Sequence, residues 1–288
     1  MSQNYSLISS LGETIAITTF GNENISQNKC IVLVHGFKGF KDWGYAPYFG
    51  NYFASNGYFV ITFNFSHNGI GENKFEFTEL EKFANNTFSR EISELQDVVN
   101  AYNNNYFGEV SEPKIGLVGH SRGGAIALLT ASKIENIKAI STWGSVSTFD
   151  RYSIRQKEIW KKKGYFSVMN MRTNQEMRLN ISLLLDLEAN INGSLNIEKA
   201  VKNLKMPLLI IHGKEDLAVK ISEAEEIYNW SNKKNSELIL IENTGHTFGC
   251  VHPFEGTNLK FEEVLSKTKE FFGKNFRNQL SEKEKLEC

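Results

Sequence analysis

The chain has 288 residues, of which 41% are hydrophobic, and its formal net charge is −1. This length and apolar content suffice for one large core, so a single α/β domain over residues 1–288 is expected. A charge balance near zero gives no reason to expect nucleic acid or an anionic membrane as a partner.

The cysteine content and the first residues bear on the compartment. Cys30, Cys250 and Cys288 are few and odd in number, so they indicate no disulfide framework. The first ten residues, MSQNYSLISS, have neither the basic nor the apolar region of a secretory signal. No apolar run approaches membrane-spanning length. We therefore expect a cytoplasmic protein that does not bind membranes, and the sequence leaves its oligomeric state open.

The predicted elements alternate between strands and helices. Residues 13–20 (ETIAITTF) alternate in polarity, which favours an early, half-exposed antiparallel strand. Later strands are short and almost wholly apolar, as in a parallel sheet covered on both faces; they are 31–34, 58–63, 115–118, 139–143, 208–211 and 238–241. Apolar residues at helical spacing predict helices, including 89–102, 222–230 and 261–272. This alternation predicts a doubly wound, mostly parallel sheet with helices on both faces.

Residues 145–203, called the insertion below, interrupt this alternation. They contain no convincing strand but are rich in aromatic residues and methionine, and residues 174–187 are predicted to be helical. One interpretation is a small helical cap that lines a pocket over the active site. The other is a helical crossover that buries its apolar face on the sheet.

The most informative segment is residues 114–124, KIGLVGHSRGG. An apolar strand runs into G-x-S-x-G, and a helical stretch follows, which is the setting in which a sharp turn exposes the serine hydroxyl. The turn crowds the strand against the helix, so the residues two before and two after Ser121 must be small. We therefore predict that Ser121 is a nucleophile.

A serine nucleophile needs a general base, and six histidines compete for this role. His246 is the candidate because it follows the 238–241 strand in a loop of small and polar residues. His67, after the 58–63 strand, is the weaker competitor. The remaining histidines are assigned structural roles: His35, His120, His212 and His252.

The candidate acid is Asp216, just beyond the glycine turn that ends the 208–211 strand. Its role would be to fix the histidine tautomer and stabilise the imidazolium without taking the proton. Two alternatives remain: the neighbouring Glu215, and Asp150 after the 139–143 strand.

Backbone N–H groups are the expected donors to the developing oxyanion. One belongs to Arg122, which follows the nucleophile at the start of a helix, where the N–H has no helical acceptor. The other belongs to Phe37, in the loop after the 31–34 strand. The Arg122 side chain is interpreted as a surface or loop-bracing group, without a role in substrate binding.

Taken together, these features resemble the α/β-hydrolase superfamily, in which nucleophile, acid and histidine follow the order Ser121, Asp216, His246. The stretches HGF at 35–37, FNF at 63–65 and HGKED at 212–216 resemble its esterase and dienelactone-hydrolase-like or prolyl-oligopeptidase-like branch. The resemblance implies an α/β-hydrolase fold with cleavage of a small or medium carboxylic ester or thioester through an acyl-enzyme. It also implies no metal and no organic cofactor. Dienelactone hydrolases proper carry a cysteine where this chain has Ser121.

Two other functions remain open besides this small-molecule ester hydrolysis. An aminopeptidase or amidase on the same scaffold would need acidic residues for a charged terminus, for which Glu72, Glu76 and Glu79 are candidates. A non-catalytic binding protein would keep the fold alone. The acyl and leaving groups are not determined by the sequence.

Overall fold

The computed structural model describes residues 2–73 and 76–277, so Cys288 lies outside the described residues. The strands are β1 (Gln3–Ile8), β2 (Thr14–Phe20), β3 (Lys29–Val34), β4 (Phe59–Phe63), β5 (Lys114–His120), β6 (Ile137–Trp143), β7 (Tyr165–Asn170), β8 (Gln175–Asn180), β9 (Leu208–Gly213) and β10 (Ser236–Ile241). The helices are α1 (Ala46–Ala54), α2 (Leu80–Ala84), α3 (Phe88–Asn103), α4 (Arg122–Ala131), α5 (Ile154–Lys163), α6 (Ile181–Asn190), α7 (Ile197–Lys202), α8 (Ile221–Trp230) and α9 (Leu259–Arg277). A 3₁₀ helix covers Asn22–Gln27.

An eight-stranded sheet runs through the molecule in the order β1-β2-β4-β3-β5-β6-β9-β10. Within this sheet the six strands β4, β3, β5, β6, β9 and β10 pair in parallel, whereas β2 pairs antiparallel with both β1 and β4. The predicted doubly wound, mostly parallel sheet is therefore confirmed. All six predicted apolar strands are present, and their carboxyl ends meet along one edge, where open α/β sheets carry their sites.

Helices cover both faces of the sheet because the strands are apolar on both sides. In β3, Val32 and Val34 point into a core shared with α3 and α4, while Ile31 and Leu33 point into a second core with α1 and α9. Each such side chain contributes roughly 1.5–3 kcal/mol when fully buried. The two cores therefore hold the sheet, and its carboxyl edge, in a fixed arrangement.

At the antiparallel edge, the structure corrects one prediction and adds one strand. Strand β2 has the predicted antiparallel pairing, but most of its side chains are buried, so the prediction of a half-exposed strand is wrong. Strand β1 covers one side of β2 and was not predicted. Its sequence, QNYSLI, is largely polar and exposed, so it carries little hydrophobic signal.

The insertion contains a two-stranded antiparallel sheet, β7–β8, beside α5, α6 and α7, so the prediction of a segment without strands is wrong. The predicted helix 174–187 is replaced by β8 in its first half, and α6 begins at Ile181. In β8, buried Met177 and Leu179 alternate with exposed Glu176 and Arg178, which is strand periodicity. These residue types favour helices by intrinsic propensity, and pairing with β7 overrides that preference.

Within the described residues, no helix has both the length and the apolar character needed to cross a membrane. Cys30 and Cys250 are buried and unpaired.

Candidate active site

Ser121 lies in the tight connection between β5 and α4. Its backbone has a φ of 56° and a ψ of −124°, a conformation that costs a non-glycine residue about 1–3 kcal/mol. The neighbouring glycines make this turn possible. A Cβ atom at Gly119 would overlap the backbone of Gly123, and one at Gly123 would overlap the carbonyl oxygens of Val34 and His35. The strained turn therefore lifts the Ser121 side chain above the carboxyl edge of the sheet.

Asp216 follows β9 and is held by hydrogen bonds to both of its carboxylate oxygens. Oδ2 accepts the Nδ1–H of His246 at 2.7 Å, and Oδ1 accepts the backbone N–H groups of Ala218 and Val219 at 2.8 and 2.9 Å. Burial raises the pKa of the Asp216 carboxyl, but these hydrogen bonds outweigh burial and lower the pKa below its ordinary value. The carboxylate is therefore ionised at neutral pH, where it holds the proton of His246 on Nδ1.

His246 lies in the loop after β10 with its side chain partly exposed. Because Nδ1 bonds to Asp216, the other ring nitrogen, Nε2, remains for proton transfer. Ser121 and His246 both border two cavities, a first cavity of about 300 Å³ and a second cavity of about 430 Å³. No hydrogen bond joins them among the described residues. Such bonds commonly tighten only when substrate is bound.

Three further histidines, His120, His212 and His35, support this arrangement through hydrogen bonds. His120 Nε2–H donates to the carbonyl oxygen of His246 at 2.8 Å, and burial lowers the pKa of His120 to about 3. His212 Nε2–H donates to Val219 O at 2.9 Å, which fixes the turn whose N–H groups bind Asp216. These two histidines hold the loops that carry His246 and Asp216.

His35 shapes the loop that carries Phe37. Its Nε2 accepts the N–H of Phe65 at 3.3 Å, and its Nδ1 therefore donates to Gly36 O at 3.0 Å. Burial lowers the pKa of His35 to about 4, so the ring stays neutral near pH 7. Gly36 packs directly on Ser121, since a Cβ built on Gly36 would lie 2.9 Å from Ser121 Cβ. The loop after β3 is thus held beside the serine.

The structure brings Phe37 and Arg122 together beside Ser121. Both border the second of the two cavities together with Ser121. Arg122 is the first residue of α4, where a backbone N–H lacks an intrahelical acceptor. The Arg122 guanidinium lies 4.8 Å from the Phe37 ring centroid and forms an ion pair with Glu91.

The competing candidates lie apart from this arrangement. Asp150 forms an ion pair with Lys157 at 2.7 Å, and Glu215 points to solvent. His67 Nδ1 and Ser66 Oγ share a hydrogen bond of 2.8 Å, and His67 borders neither cavity. The exposed glutamates proposed for an aminopeptidase subsite border neither cavity either: Glu72, Glu76 and Glu79.

The first cavity, of about 300 Å³, borders Ser121. Aromatic rings form much of its wall: Phe37, Phe40, Trp43 and Tyr45. The insertion adds Asn170, the last residue of β7, and Met171 and Arg172 from the turn that follows it. Sequence reasoning did not assign these three residues to the site, because the hairpin that presents them was not predicted.

The second cavity, of about 430 Å³, also borders Ser121. Its wall contains Phe88, Val146, Phe149, Val168 and Val219, together with Arg122, Arg151 and Tyr152. No carboxylate side chain borders either cavity among the described residues. Across residues 2–73 and 76–277, no three His, Cys, Asp or Glu side chains are grouped as potential metal ligands.

Comparison with protein-family models identifies two matches. Residues 15–164 match the model of the dienelactone hydrolase family. Residues 105–273 match the model described as BAAT / acyl-CoA thioester hydrolase C terminal. Each match spans more than half of the chain, and the two overlap at the Ser121 turn. No curated protein matches the sequence significantly.

Solved structures with the same fold cover nearly the whole chain. The ferulic acid complex of Est1E from Butyrivibrio proteoclasticus is 17% identical with a TM-score of 0.70, over 94% of this chain and 99% of that one. GrgF from Penicillium sp. sh18, an α/β hydrolase, is 14% identical with a TM-score of 0.73, over 96% and 99%. The Pyrococcus furiosus esterase Pf2001 is 18% identical with a TM-score of 0.64, over 96% and 91%. At these identities the likeness concerns the fold.

Proposed function

Because the chain belongs to the dienelactone-hydrolase-like branch of the α/β-hydrolase superfamily, we propose that it is a serine hydrolase of small or medium carboxylic esters or thioesters. The observation that carries this proposal is the 2.7 Å hydrogen bond between His246 Nδ1 and Asp216 Oδ2, beside the cavities that Ser121 borders. A histidine held in this tautomer has Nε2 available as a base.

The proposed mechanism follows from these positions. Ser121 Oγ attacks the ester carbonyl carbon while His246 Nε2 takes the hydroxyl proton, and ionised Asp216 stabilises the imidazolium. The N–H groups of Phe37 and Arg122 bind the oxyanion of the tetrahedral intermediate. His246 then protonates the leaving oxygen or sulfur, which leaves an acyl group on Ser121. Water, activated by His246, releases the acid and restores Ser121.

The residues in the cavity walls favour an ester or thioester as the substrate over a peptide with a protonated amino terminus. A protonated amino terminus needs a carboxylate partner in a desolvated site. No carboxylate borders either cavity among the described residues, whereas Lys38 and Arg172 border the first cavity and Arg151 the second. The two cavities would receive the acyl part and the leaving group, and the insertion would cap the first through residues 170–172.

The first experiment is labelling with a fluorophosphonate probe, followed by mass spectrometry of the adduct. We expect modification of Ser121 in the wild-type protein, and neither labelling nor hydrolysis of p-nitrophenyl esters in Ser121→Ala. His246→Gln should lose activity to a similar extent, and His67→Gln serves as the matched control because His67 borders neither cavity. Folded wild-type protein that is neither labelled nor active would contradict the proposal. Matched ester, thioester and amino-acid amide substrates then separate the esterase from the aminopeptidase.

A further inference from the structure

The side chain of Arg122 is held from three sides. Its guanidinium lies 4.8 Å from the Phe37 ring centroid and 5.3 Å from that of Phe88, and Nη2 forms an ion pair with Glu91 Oε1. Only 15% of the side chain is exposed. A planar guanidinium between two aromatic faces is attracted to both rings, and this attraction is stronger where water is excluded.

Glu91 is itself buried, with 3% of its side chain exposed. Asn86 Nδ2 donates to the same carboxylate oxygen at 2.7 Å. Burial raises the pKa of Glu91, while Arg122 and the hydrogen bond from Asn86 act against that rise. A buried ion pair with a second hydrogen bond defines one position for the guanidinium, because any displacement leaves a buried charge without its partner.

This contact joins the two residues that carry the proposed oxyanion donors. Arg122 supplies one N–H from the start of α4, and its guanidinium packs on the ring of Phe37, whose backbone supplies the other N–H from the loop after β3. Backbone packing already brings the loop and the helix start together, since Gly36 lies against Ser121 and Gly123 lies against the carbonyl oxygens of Val34 and His35. The contact between the guanidinium and the Phe37 ring adds a side-chain restraint to this packing, and it acts on the two residues whose N–H groups must be correctly spaced.

We propose that the Arg122 side chain, anchored by Glu91, is a positioning residue that sets the spacing of the oxyanion hole. This inference rests on the proposed function. Lysine at position 122 would retain the charge for Glu91 but not the planar face for Phe37. Substrate binding in the ground state does not require the oxyanion spacing, whereas the transition state does.

The test compares Arg122→Lys with the wild-type protein in ester hydrolysis and in inhibition by a trifluoromethyl ketone, which forms an oxyanion adduct on the nucleophilic serine. We expect kcat to fall on the order of tenfold, less than the roughly 10²–10³-fold loss for a donor removed outright. KM should stay within about twofold, and affinity for the ketone should fall in parallel with kcat/KM.

A double-mutant cycle identifies the route of the effect. In a Phe37→Leu background, Arg122→Lys should lower kcat by much less than in the wild type, because the ring contact is already lost. Arg90→Lys is the matched control. Arg90 forms an ion pair with Glu94, both on α3, and its side chain is 23% exposed and borders neither cavity. It should leave kcat unchanged.

The outcomes separate this inference from the proposed function. An active wild type in which Arg122→Lys has unchanged kcat and ketone affinity would overturn the positioning role alone, even if the melting temperature falls. Equal kcat losses in both backgrounds would also overturn it. Should Arg122→Lys fail to fold, Arg122→Met/Glu91→Gln removes both buried charges and is judged by the same kcat and ketone criteria. A wild type without Ser121-dependent hydrolysis would remove the proposed function, and the positioning role with it.

Discussion

Asp216 is the residue whose environment most clearly distinguishes it from its competitors. Its carboxylate accepts three hydrogen bonds, from His246 Nδ1–H and from two backbone N–H groups of the following turn. Glu215 and Asp150 carry the same functional group, but Glu215 is exposed to solvent and Asp150 forms an ion pair with Lys157. At the residue scale, therefore, the partners of a carboxylate, and not its presence in the sequence, indicate the proposed role of orienting acid.

Asp216→Asn should lower kcat by roughly 10³–10⁴-fold, because an amide can donate to Nδ1 and so favour the wrong histidine tautomer. KM should change little. The measurement is steady-state kinetics on an ester that the wild type hydrolyses. Glu215→Gln and Asp150→Asn are the matched controls, and each should retain activity near the wild-type level. A comparable loss in either control would assign the acid to that residue instead.

At the scale of elements, the proposed site depends on how closely α4 approaches the end of β3. Gly123, in the first turn of α4, lies against the carbonyl oxygens of Val34 and His35, and these are backbone atoms that cannot move aside as a side chain can. The same approach brings Ser121 beside the loop that carries Phe37. Because the start of α4 packs on the end of β3, the same contact affects both the stability of the fold and the geometry of the proposed oxyanion hole.

Gly123→Ala should lower the free energy of unfolding by about 1–3 kcal/mol, because its methyl group would force the helix away from β3. The value is measured by urea denaturation. Gly193→Ala is the control, since the nearest heavy atom to a Cβ there is Asn190 O at 3.7 Å. That control should stay within about 0.5 kcal/mol of the wild type. Equal stability of Gly123→Ala and the wild type would show that the helix can shift without cost.

At the scale of the whole molecule, two cores on opposite faces hold one parallel sheet, and buried polar groups concentrate at its carboxyl edge. Three histidines in this region have pKa values that are lowered chiefly by burial, to about 4 for His35, about 4 for His67 and about 3 for His120. Because the fold keeps these histidines neutral, lowering the pH favours the unfolded chain, in which they can bind protons.

We expect the free energy of unfolding to fall as the pH decreases from about 6.5 towards 4. In this range the unfolded chain binds protons at these histidines, whereas the folded chain does not, so each contributes up to about 1.4 kcal/mol per pH unit. The raised pKa values of Glu91 and Glu94 act in the opposite direction, so the net slope is smaller. Urea denaturation at several pH values measures this slope. His67→Gln should reduce it, and equal slopes in both proteins would contradict the prediction.

Much of this fold follows from sequence periodicity. The six apolar strands and the helices at 89–102, 222–230 and 261–272 are present, because a strand buried on both faces must be apolar throughout and an amphipathic helix repeats with its own period. The strand–turn–helix at Ser121 is equally local, since only small residues fit beside its strained backbone. Strands β1, β7 and β8 were missed, because their polar or helix-favouring residues are held by pairing with neighbours.

The sequence by itself determined the order of elements and the set of candidate residues, because both depend on local pattern and residue chemistry. The catalytic roles of Ser121, Asp216 and His246 stay predictions. Only the tertiary structure decided that Asp216, and not Glu215 or Asp150, bonds to His246, and that the insertion presents residues 170–172 at the first cavity. It also decided that the Arg122 guanidinium packs on Phe37. These contacts join residues that are distant along the chain, and their formation depends on sheet order and on packing between elements, which no local pattern encodes.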